Sequence, residues 1–158
     1  MQKIEIKLAD MVDAEDIARI SYQVGKMHDE AVPEYFKPTD ESEHLRIVKD
    51  MLKSRDNIVF KAIYEGRICG VLFLRIVEKL GQGATYSKYG VITNFGVDEN
   101  YRKKGIGTAL MVKVEEYVKE QGLEALDLSV FVFNSNAIKF YERLGYKALD
   151  LNMRKILK

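Results

Sequence analysis

Three basic residues and two glycines stand at the start of a predicted helix, where together they could bind a phosphate group. Arg102, Lys103 and Lys104 precede Gly105 and Gly107. The first turn of a helix has backbone N–H groups without intrahelical partners, and the macrodipole adds partial positive charge there. Because glycine lacks Cβ, a bulky anion can approach those groups closely. The alternative is a plain helix start with solvated basic residues, and a Gly-x-Gly spacing alone favours that alternative.

A second stretch could supply an amide and a phenol group. Residues 126–132 have the apolar pattern of a strand, and the run that follows is typical of a helix that begins at Asn134 and is closed by Gly145. Asn134 and Tyr141 stand about two helical turns apart, so their side chains share one helix face. Periodicity alone indicates that Tyr141 is a core aromatic residue.

Taken together, the two stretches resemble the GCN5-related N-acetyltransferase (GNAT) family. Arg102-x-x-Gly105-x-Gly107 matches the family motif for the acetyl-CoA pyrophosphate, and residues 134–146 match its second cofactor motif. The two motifs occur in the family's order, separated by one helix and one strand. The resemblance implies a single N-acetyltransferase domain over residues 1–158, with acetyl-CoA as co-substrate.

The resemblance also implies a role for each part of the cofactor site. Backbone N–H groups between Arg102 and Thr108 would hold the pyrophosphate, and main-chain groups of Phe95 and Val97 would pair with the pantetheine arm as an added strand. A backbone N–H near Val97 would stabilise the oxyanion. The family match favours Tyr141 as the acid that protonates the leaving thiolate. The implied cofactor-binding residues are Phe95, Gly96, Val97, Arg102, Lys103, Lys104, Gly105, Ile106, Gly107, Thr108, Asn134, Ala137 and Tyr141.

The general base is the part of the site that the sequence leaves open. An alkyl amine has a pKa of about 10 and is mostly protonated at neutral pH, so the site must deprotonate it or select its neutral fraction. Many relatives place a glutamate on one of two splayed strands, but the corresponding positions here are Asn94 and Ser129. Either a water held near Asn94 removes the proton, or a carboxylate such as Glu34 or Asp127 enters the site.

The acceptor amine is expected beside a loop that follows the first predicted helix. Residues 31–39 contain both prolines of the chain, which predicts a stiff loop, and Tyr35 and Phe36 lie between them. In the family this region often forms a wall of the acceptor pocket; the alternative is that the two aromatic rings fill the core. With these rings we group His28, at the end of the helix, as substrate-binding. His44 is predicted to be a surface residue.

The order of predicted elements is strand, two helices, three strands, helix, strand, helix and strand, the last strand covering residues 146–157. Gly81-Gln82-Gly83 is predicted to interrupt the chain before the fourth strand. The links between the central strands are too short for crossover helices, which excludes an all-parallel sheet. We therefore predict a mixed α/β fold with a twisted, mostly antiparallel sheet and helices on both faces. The resemblance implies a bulge in the strand that contains Gly96, which would splay the fourth and fifth strands.

The composition argues against several other classes of protein. The net charge of +1 among 31% charged residues favours neither nucleic acid nor an anionic membrane as a partner, and no apolar run is long enough to span a bilayer. The single cysteine, Cys69, excludes an internal disulfide, and two dispersed histidines give no support to a metal site. We expect a cytoplasmic protein; the family is often dimeric, which leaves a homodimer open.

The leading function is acetyl transfer from acetyl-CoA to a primary amine of a small molecule or a protein, by direct attack in a ternary complex. One alternative is a non-catalytic acyl-CoA sensor or scaffold, which the absence of the strand glutamate supports. The other is a nucleotide-binding domain that uses the basic turn for a different phosphate ligand.

Overall fold

A computed structural model describes residues 3–78, 83 and 85–157. Their contacts divide the chain into two compact units, one up to Leu128 and one from Ser129. No helix within these described ranges is long and apolar enough to cross a membrane. The elements are β1 (Glu5–Leu8), α1 (Ala14–Ala31), α2 (Glu41–Lys53), β2 (Ile58–Tyr64), β3 (Arg67–Glu78), β4 (Lys88–Val97), α3 (Ile106–Glu120), β5 (Leu126–Leu128) and α4 (Ser135–Arg143), with 3₁₀ turns at Met11–Asp13 and Glu99–Tyr101.

The first unit contains a five-stranded sheet in the order β1-β2-β3-β4-β5. Neighbouring strands are antiparallel except β4 and β5, which are parallel. The link between β2 and β3 is the two-residue turn Glu65-Gly66, and both residues have positive φ, as a tight hairpin turn with the twist of the sheet requires. The predicted mostly antiparallel sheet is thereby confirmed.

Helices cover both faces of the sheet, as predicted. A Cβ atom on Gly96 of β4 would lie 2.8 Å from Val24 of α1, whereas one on Gly90 would lie 3.0 Å from Val118 of α3. One face is completed by α2, whose Val48 is fully buried in the same cluster as the apolar residues of α1. Burial of one such aliphatic side chain contributes about 1.5–3 kcal/mol, so the two apolar faces hold the helices on the sheet.

A bulge lies in the middle of β4. Phe73 of β3 pairs with Asn94 and Leu74 pairs with Ile92, which leaves Thr93 as an extra residue in β4. Positions 90 and 96 would share one face of a regular strand because side chains alternate, yet they face opposite helices. The extra residue therefore reverses which side chains of β4 face α1. The expected bulge in this strand is confirmed.

The pairing of β4 with β5 stops at this bulge. β5 pairs only with Gly90, Val91 and Ile92, and within the first unit no strand continues the pairing along Thr93–Val97. The fifth strand is thus shorter than the predicted 126–132. β4 therefore continues for five residues beyond its last pair with β5.

The limits of three predicted elements differ from the structure or lie partly outside its described residues. The strand predicted over residues 146–157 is wrong: residues 147–157 contain neither helix nor strand, and Leu149 and Met153 are each 83% exposed. Alternation of apolar residues gives a strand only where another strand supplies backbone partners, and residues 129–157 contain none. The helix expected after Gly107 begins at Ile106. Of the predicted Gly81-Gln82-Gly83 break, the first two residues lie outside the described part of the chain.

A buried carboxylate anchors the turn that leaves β4. Asp98 is 2% exposed, forms an ion pair with Arg19 of α1, and accepts a hydrogen bond from the backbone N–H of Asn100 at 3.0 Å. Arg19 also donates to the carbonyl of Ile68 at 3.2 Å. Burial alone would raise the pKa of Asp98, but the hydrogen bonds from Asn100 and Arg19 outweigh burial and leave that pKa below its usual value. α1, β3 and the turn after β4 are therefore held together by one charged pair.

Removal of Arg19 should destabilise the protein, because Asp98 would stay buried without its cation. Arg19→Met should lower the free energy of unfolding at pH 7 by about 2 kcal/mol, less than a fully buried pair because Arg19 is half-exposed. The pKa of Asp98 is lower in the folded state than in the unfolded state. The stabilisation that its charged form provides is therefore fully present above the unfolded pKa of about 3.9, and it is lost as the pH falls through the lower folded pKa. Urea unfolding at pH 7 and pH 3 measures both effects.

The matched control is Arg46→Met, because Arg46 forms only exposed ion pairs with Glu43 and Asp50. Its effect should stay below about 0.5 kcal/mol. Equal losses for the two arginine variants would contradict the anchoring role of Arg19.

The residue before α3 must adopt a left-handed conformation. Gly105 has φ 81° and ψ 1°, and a Cβ atom there would meet only Ile4, at 3.9 Å. Gly105→Ala should therefore cost about 1 kcal/mol through backbone strain and not through a clash. Gly105→Asn should cost less, because asparagine tolerates this region. Urea unfolding without ligand tests the pair; an alanine variant as stable as the wild type would contradict the strain.

Candidate functional site

The start of α3 has donor groups that the helix itself does not use. The N–H of Ala109 bonds to the carbonyl of Gly105 at 3.0 Å, so the N–H groups of Ile106, Gly107 and Thr108 precede the first intrahelical bond. No side chain caps this end of the helix. The three N–H groups together with the helix dipole form an arrangement that fits a phosphate oxygen.

The three basic residues before α3 are exposed and are held in different ways. Arg102 Nε donates to the carbonyl of Val97 at 3.5 Å, which keeps its side chain close to the end of β4. Lys104 Nζ lies 5.6 Å from the centre of the Tyr64 ring, and Lys103 has a positive φ of 63°. The turn thus presents three cations beside the open helix start, while the nearby Asp98 is already paired with Arg19.

The predicted pantetheine-binding residues lie at the end of β4. Phe95, Gly96 and Val97 follow the bulge, beyond the last residue of β4 that pairs with β5. Gly96 is buried against α1, and Phe95 and Val97 are half-buried.

Asn94 belongs to a chain of hydrogen bonds that sequence reasoning missed. Asn94 Nδ2 donates to Ser21 Oγ at 3.3 Å, Ser21 Oγ lies 3.2 Å from His44 Nδ1, and His44 Nε2 lies 2.8 Å from Thr39 Oγ1. The prediction that His44 is a surface residue is wrong, because it is half-buried between α1 and the start of α2. No local pattern signals this contact, which arises only when α2 packs on α1.

The three predicted acceptor residues lie together. The ring centre of Phe36 is 5.7 Å from that of His28 and 5.0 Å from that of Tyr35. His28 Nδ1 lies 2.9 Å from the carbonyl of Val24, and a carbonyl can only accept, so Nδ1 carries the proton and Nε2 is the acceptor of the neutral ring. Tyr35 is 40% exposed. This cluster is an aromatic surface with a polar edge at the end of α1, rather than a plug of the core.

The second unit contains α4 with the other predicted cofactor residues. Asn134 Oδ1 accepts the N–H of Ala137 at 3.1 Å, so the Asn134 side chain caps the helix. At the other end the N–H groups of Gly145 and Tyr146 bond to carbonyls of the last turn, which confirms the predicted closure of the helix by Gly145. Burial raises the pKa of Tyr141 to about 12, so its phenol keeps its proton at neutral pH.

The two carboxylates named from sequence as candidate bases differ in burial. Glu34 is exposed in the loop after α1. Asp127 is half-buried in β5, in register with Val91.

A cleft of about 740 Å³ in the first unit involves none of the predicted site residues. Its charged lining includes Lys61 and Asp13, which pair with each other at 2.6 Å.

Comparison with known proteins places this geometry in a family. The model of the acetyltransferase (GNAT) family matches residues 24–146. The chain is 34% identical over 133 residues to an N-alpha-acetyltransferase from Sulfurisphaera tokodaii, a match that covers 82% of this chain and 75% of that protein. It is 49% identical over 55 residues to an uncharacterized N-acetyltransferase, MJ1207, from Methanocaldococcus jannaschii, covering 35% of this chain and 24% of that protein.

Solved structures share the whole fold. A mutant of the BH1408 protein from Bacillus halodurans superimposes with a TM-score of 0.89 at 24% identity, over 98% of this chain and 99% of that chain. The aminoglycoside N-acetyltransferase AAC(6')-Iy in complex with CoA gives a TM-score of 0.79 at 15% identity, over 100% and 97% of the two chains. At these identities the likenesses show the fold alone. The family model and the Sulfurisphaera relative show that the chain belongs to the GNAT acetyltransferase family.

Proposed function

We propose that this protein transfers an acetyl group from acetyl-CoA to a primary amine, by direct attack of the amine on the thioester in a ternary complex. The observation that carries the proposal is the uncapped start of α3 behind three exposed cations, in a chain of the GNAT family. In α2, by contrast, the side chain of Asp40 accepts the backbone N–H of Glu43 and caps the helix.

The residues that would hold acetyl-CoA are those predicted from sequence. The N–H groups of residues 106–108 would bind the pyrophosphate with Arg102, and Phe95 and Val97 would pair with the pantetheine arm. Asn134 and Ala137 would contribute from the start of α4. The CoA complex of the aminoglycoside acetyltransferase, which shares the fold, supports CoA as the ligand class.

The reaction requires one bond to form, one to break and one proton to move. The lone pair of a neutral amine attacks the thioester carbon, and a backbone N–H near Val97 stabilises the oxyanion. When the tetrahedral intermediate collapses, the carbon–sulfur bond breaks and the thiolate leaves. The nitrogen loses one proton and the sulfur gains one, so the products are an amide and a thiol.

The raised pKa of Tyr141 limits how it can act on the thiolate. Complete transfer from a phenol of pKa about 12 to a thiolate of pKa about 8.5 is uphill by about 5 kcal/mol. The proposal therefore gives Tyr141 the role of a hydrogen-bond donor to the developing thiolate, and the proton that the sulfur finally gains balances the one that the amine nitrogen releases.

Among primary amines, a peptide α-amine suits this site best. An α-amine with a pKa of about 8 is roughly a quarter neutral near pH 7.5, whereas a lysine ε-amine of pKa about 10.4 is neutral to about one part in a thousand. A site that has Asn94 in place of a strand glutamate can acetylate the neutral fraction of a peptide α-amine without a strong base. The relative named as an N-alpha-acetyltransferase supports the same acceptor class.

A thiol-release assay with matched acceptors tests the proposal. The panel contains a short peptide with a free α-amine, the same peptide blocked at its N-terminus with a lysine added, a polyamine and an aminoglycoside. We expect turnover with the free α-amine and at least tenfold lower kcat/KM for the others. Turnover of the lysine peptide alone would overturn the acceptor class. Acetyl-CoA binding without turnover of any amine would favour the non-catalytic sensor.

Tyr141→Phe tests the hydrogen-bond donor. Loss of a donor to a developing negative charge costs about 10²-fold or more in rate, so kcat should fall by about that factor while the Kd for acetyl-CoA stays unchanged. Tyr86→Phe, at a residue that is 48% exposed, is the matched control and should keep the wild-type kcat. Full turnover by Tyr141→Phe with normal acetyl-CoA binding would eliminate the role.

A further inference from the structure

The hydrogen-bond chain that ends at Asn94 has a direction, and this direction follows from its donors and acceptors. Asn94 Nδ2 donates to Ser21 Oγ. We propose that Ser21 in turn donates its hydroxyl proton to His44 Nδ1, and that His44 is a positioning residue that holds the Asn94 amide so that its oxygen accepts an N–H of the substrate amine. The inference rests on the proposed function, because it concerns the acceptor of the same site.

Proton placement along the chain is consistent with this direction. With Nδ1 of neutral His44 as an acceptor, Nε2 carries the ring proton and donates it to Thr39 Oγ1, 2.8 Å away. Each donor in the chain then faces an acceptor. Because Nδ2 of Asn94 is engaged by Ser21, Oδ1 is the amide atom left for a ligand. An oxygen that accepts from the amine orients the nitrogen lone pair without removing a proton, which is the task of a site that selects a neutral amine.

The packing around His44 holds the ring in one orientation. A Cβ atom on Gly25 would lie 2.6 Å from His44 Cε1, so α1 has no side chain where the ring lies. The ring of Tyr22 meets the imidazole edge-on, with centres 5.6 Å apart. Ser21 is 6% exposed, so a hydroxyl without its partners would be costly there. The ring is therefore fixed by α1 on one side and by its own helix start on the other.

Asn94 occupies the position in β4 where this orientation matters. It directly follows the extra residue Thr93, and pairing with β5 has ended by Ile92. On the same face of β4, Gly96 contacts Val24 of α1, whose carbonyl lies next to His28 Nδ1. Asn94 thus lies on the face of β4 that packs on α1, the helix whose end carries the acceptor cluster.

The same chain predicts a pH response. An imidazolium donates from both nitrogens, so a charged His44 could no longer accept from Ser21. The charged and titratable groups around His44 are Tyr22 on α1, Asp40 at the start of α2, and Asp29, whose carboxylate accepts the backbone N–H of Thr39 at 3.2 Å. Orientation of the amine should therefore weaken when His44 is protonated.

Three variants separate positioning from simple packing. His44→Gln places its amide near the former Nε2 and leaves Ser21 without an acceptor, whereas His44→Asn places an amide oxygen near the former Nδ1. We expect the KM for the amine to rise about tenfold in His44→Gln and Ser21→Ala, the loss expected for one hydrogen bond, and to stay within about twofold of wild type in His44→Asn. The KM for acetyl-CoA should not change. Lys49→Gln, exposed on α2, is the matched control.

The pH profile uses the same proteins. As the pH is lowered, the KM for the amine should rise more steeply in the wild type than in His44→Asn, since protonation of the substrate amine affects both equally. Equal slopes, an unchanged KM in His44→Gln, or equal losses in the Gln and Asn variants would each overturn the inference. Absence of turnover in the wild type would instead overturn the proposed function.

Nitrogen NMR of the two histidine rings tests the proton placement without any activity. The chain has only two histidines, and the His44→Asn spectrum assigns them. His44 should be the tautomer with its proton on Nε2, and His28 the tautomer with its proton on Nδ1, because His28 Nδ1 faces a carbonyl. A proton on Nδ1 of neutral His44 would contradict the proposed direction of the chain.

Discussion

One extra residue in β4 is the constraint from which the site follows. Thr93 has no counterpart in β3. It ends the pairing with β5 at Ile92 and moves the following side chains of β4 to the opposite face, so that Asn94 and Gly96 meet α1. Without the bulge, position 94 would face α3. The end of the pairing with β5 and the polar side chain beside α1 therefore have a single cause.

The end of β4 then has to be held in place, because the next turn carries the phosphate-binding groups. The Asp98–Arg19 pair connects this turn to α1, and Asp98 N–H bonds to the carbonyl of Cys69 in β3 at 2.8 Å. Pairing also removes a negative charge from the neighbourhood of Arg102. A stable anchor under an uncapped helix start is what a preorganised anion site requires, since the donors do not have to be ordered when the ligand binds.

Local patterns predicted most of the fold, and contacts distant in sequence account for what was missed. The apolar runs of β2 and β3, the capping Asp40 and the closing Gly145 each act within a few residues, so their effects can be recognised in sequence. Residues 146–157 also have an apolar pattern typical of a strand but form none, because such a pattern does not provide a partner strand. The Ser21–His44 contact joins two helices, and no spacing within either helix indicates it. The motif residues were identified by resemblance, and their roles remain proposals.

Calorimetric titration with acetyl-CoA tests the central claim most directly, with wild type compared with an Arg102→Ala and Gly107→Trp double variant. The account predicts micromolar binding by the wild type and loss of binding by the variant, whose bulky side chain would fill the approach to the N–H groups of α3. An urea unfolding curve checks that the variant is folded. No binding of acetyl-CoA by folded wild-type protein, or displacement of acetyl-CoA by ATP, would contradict the account and favour a different phosphate ligand.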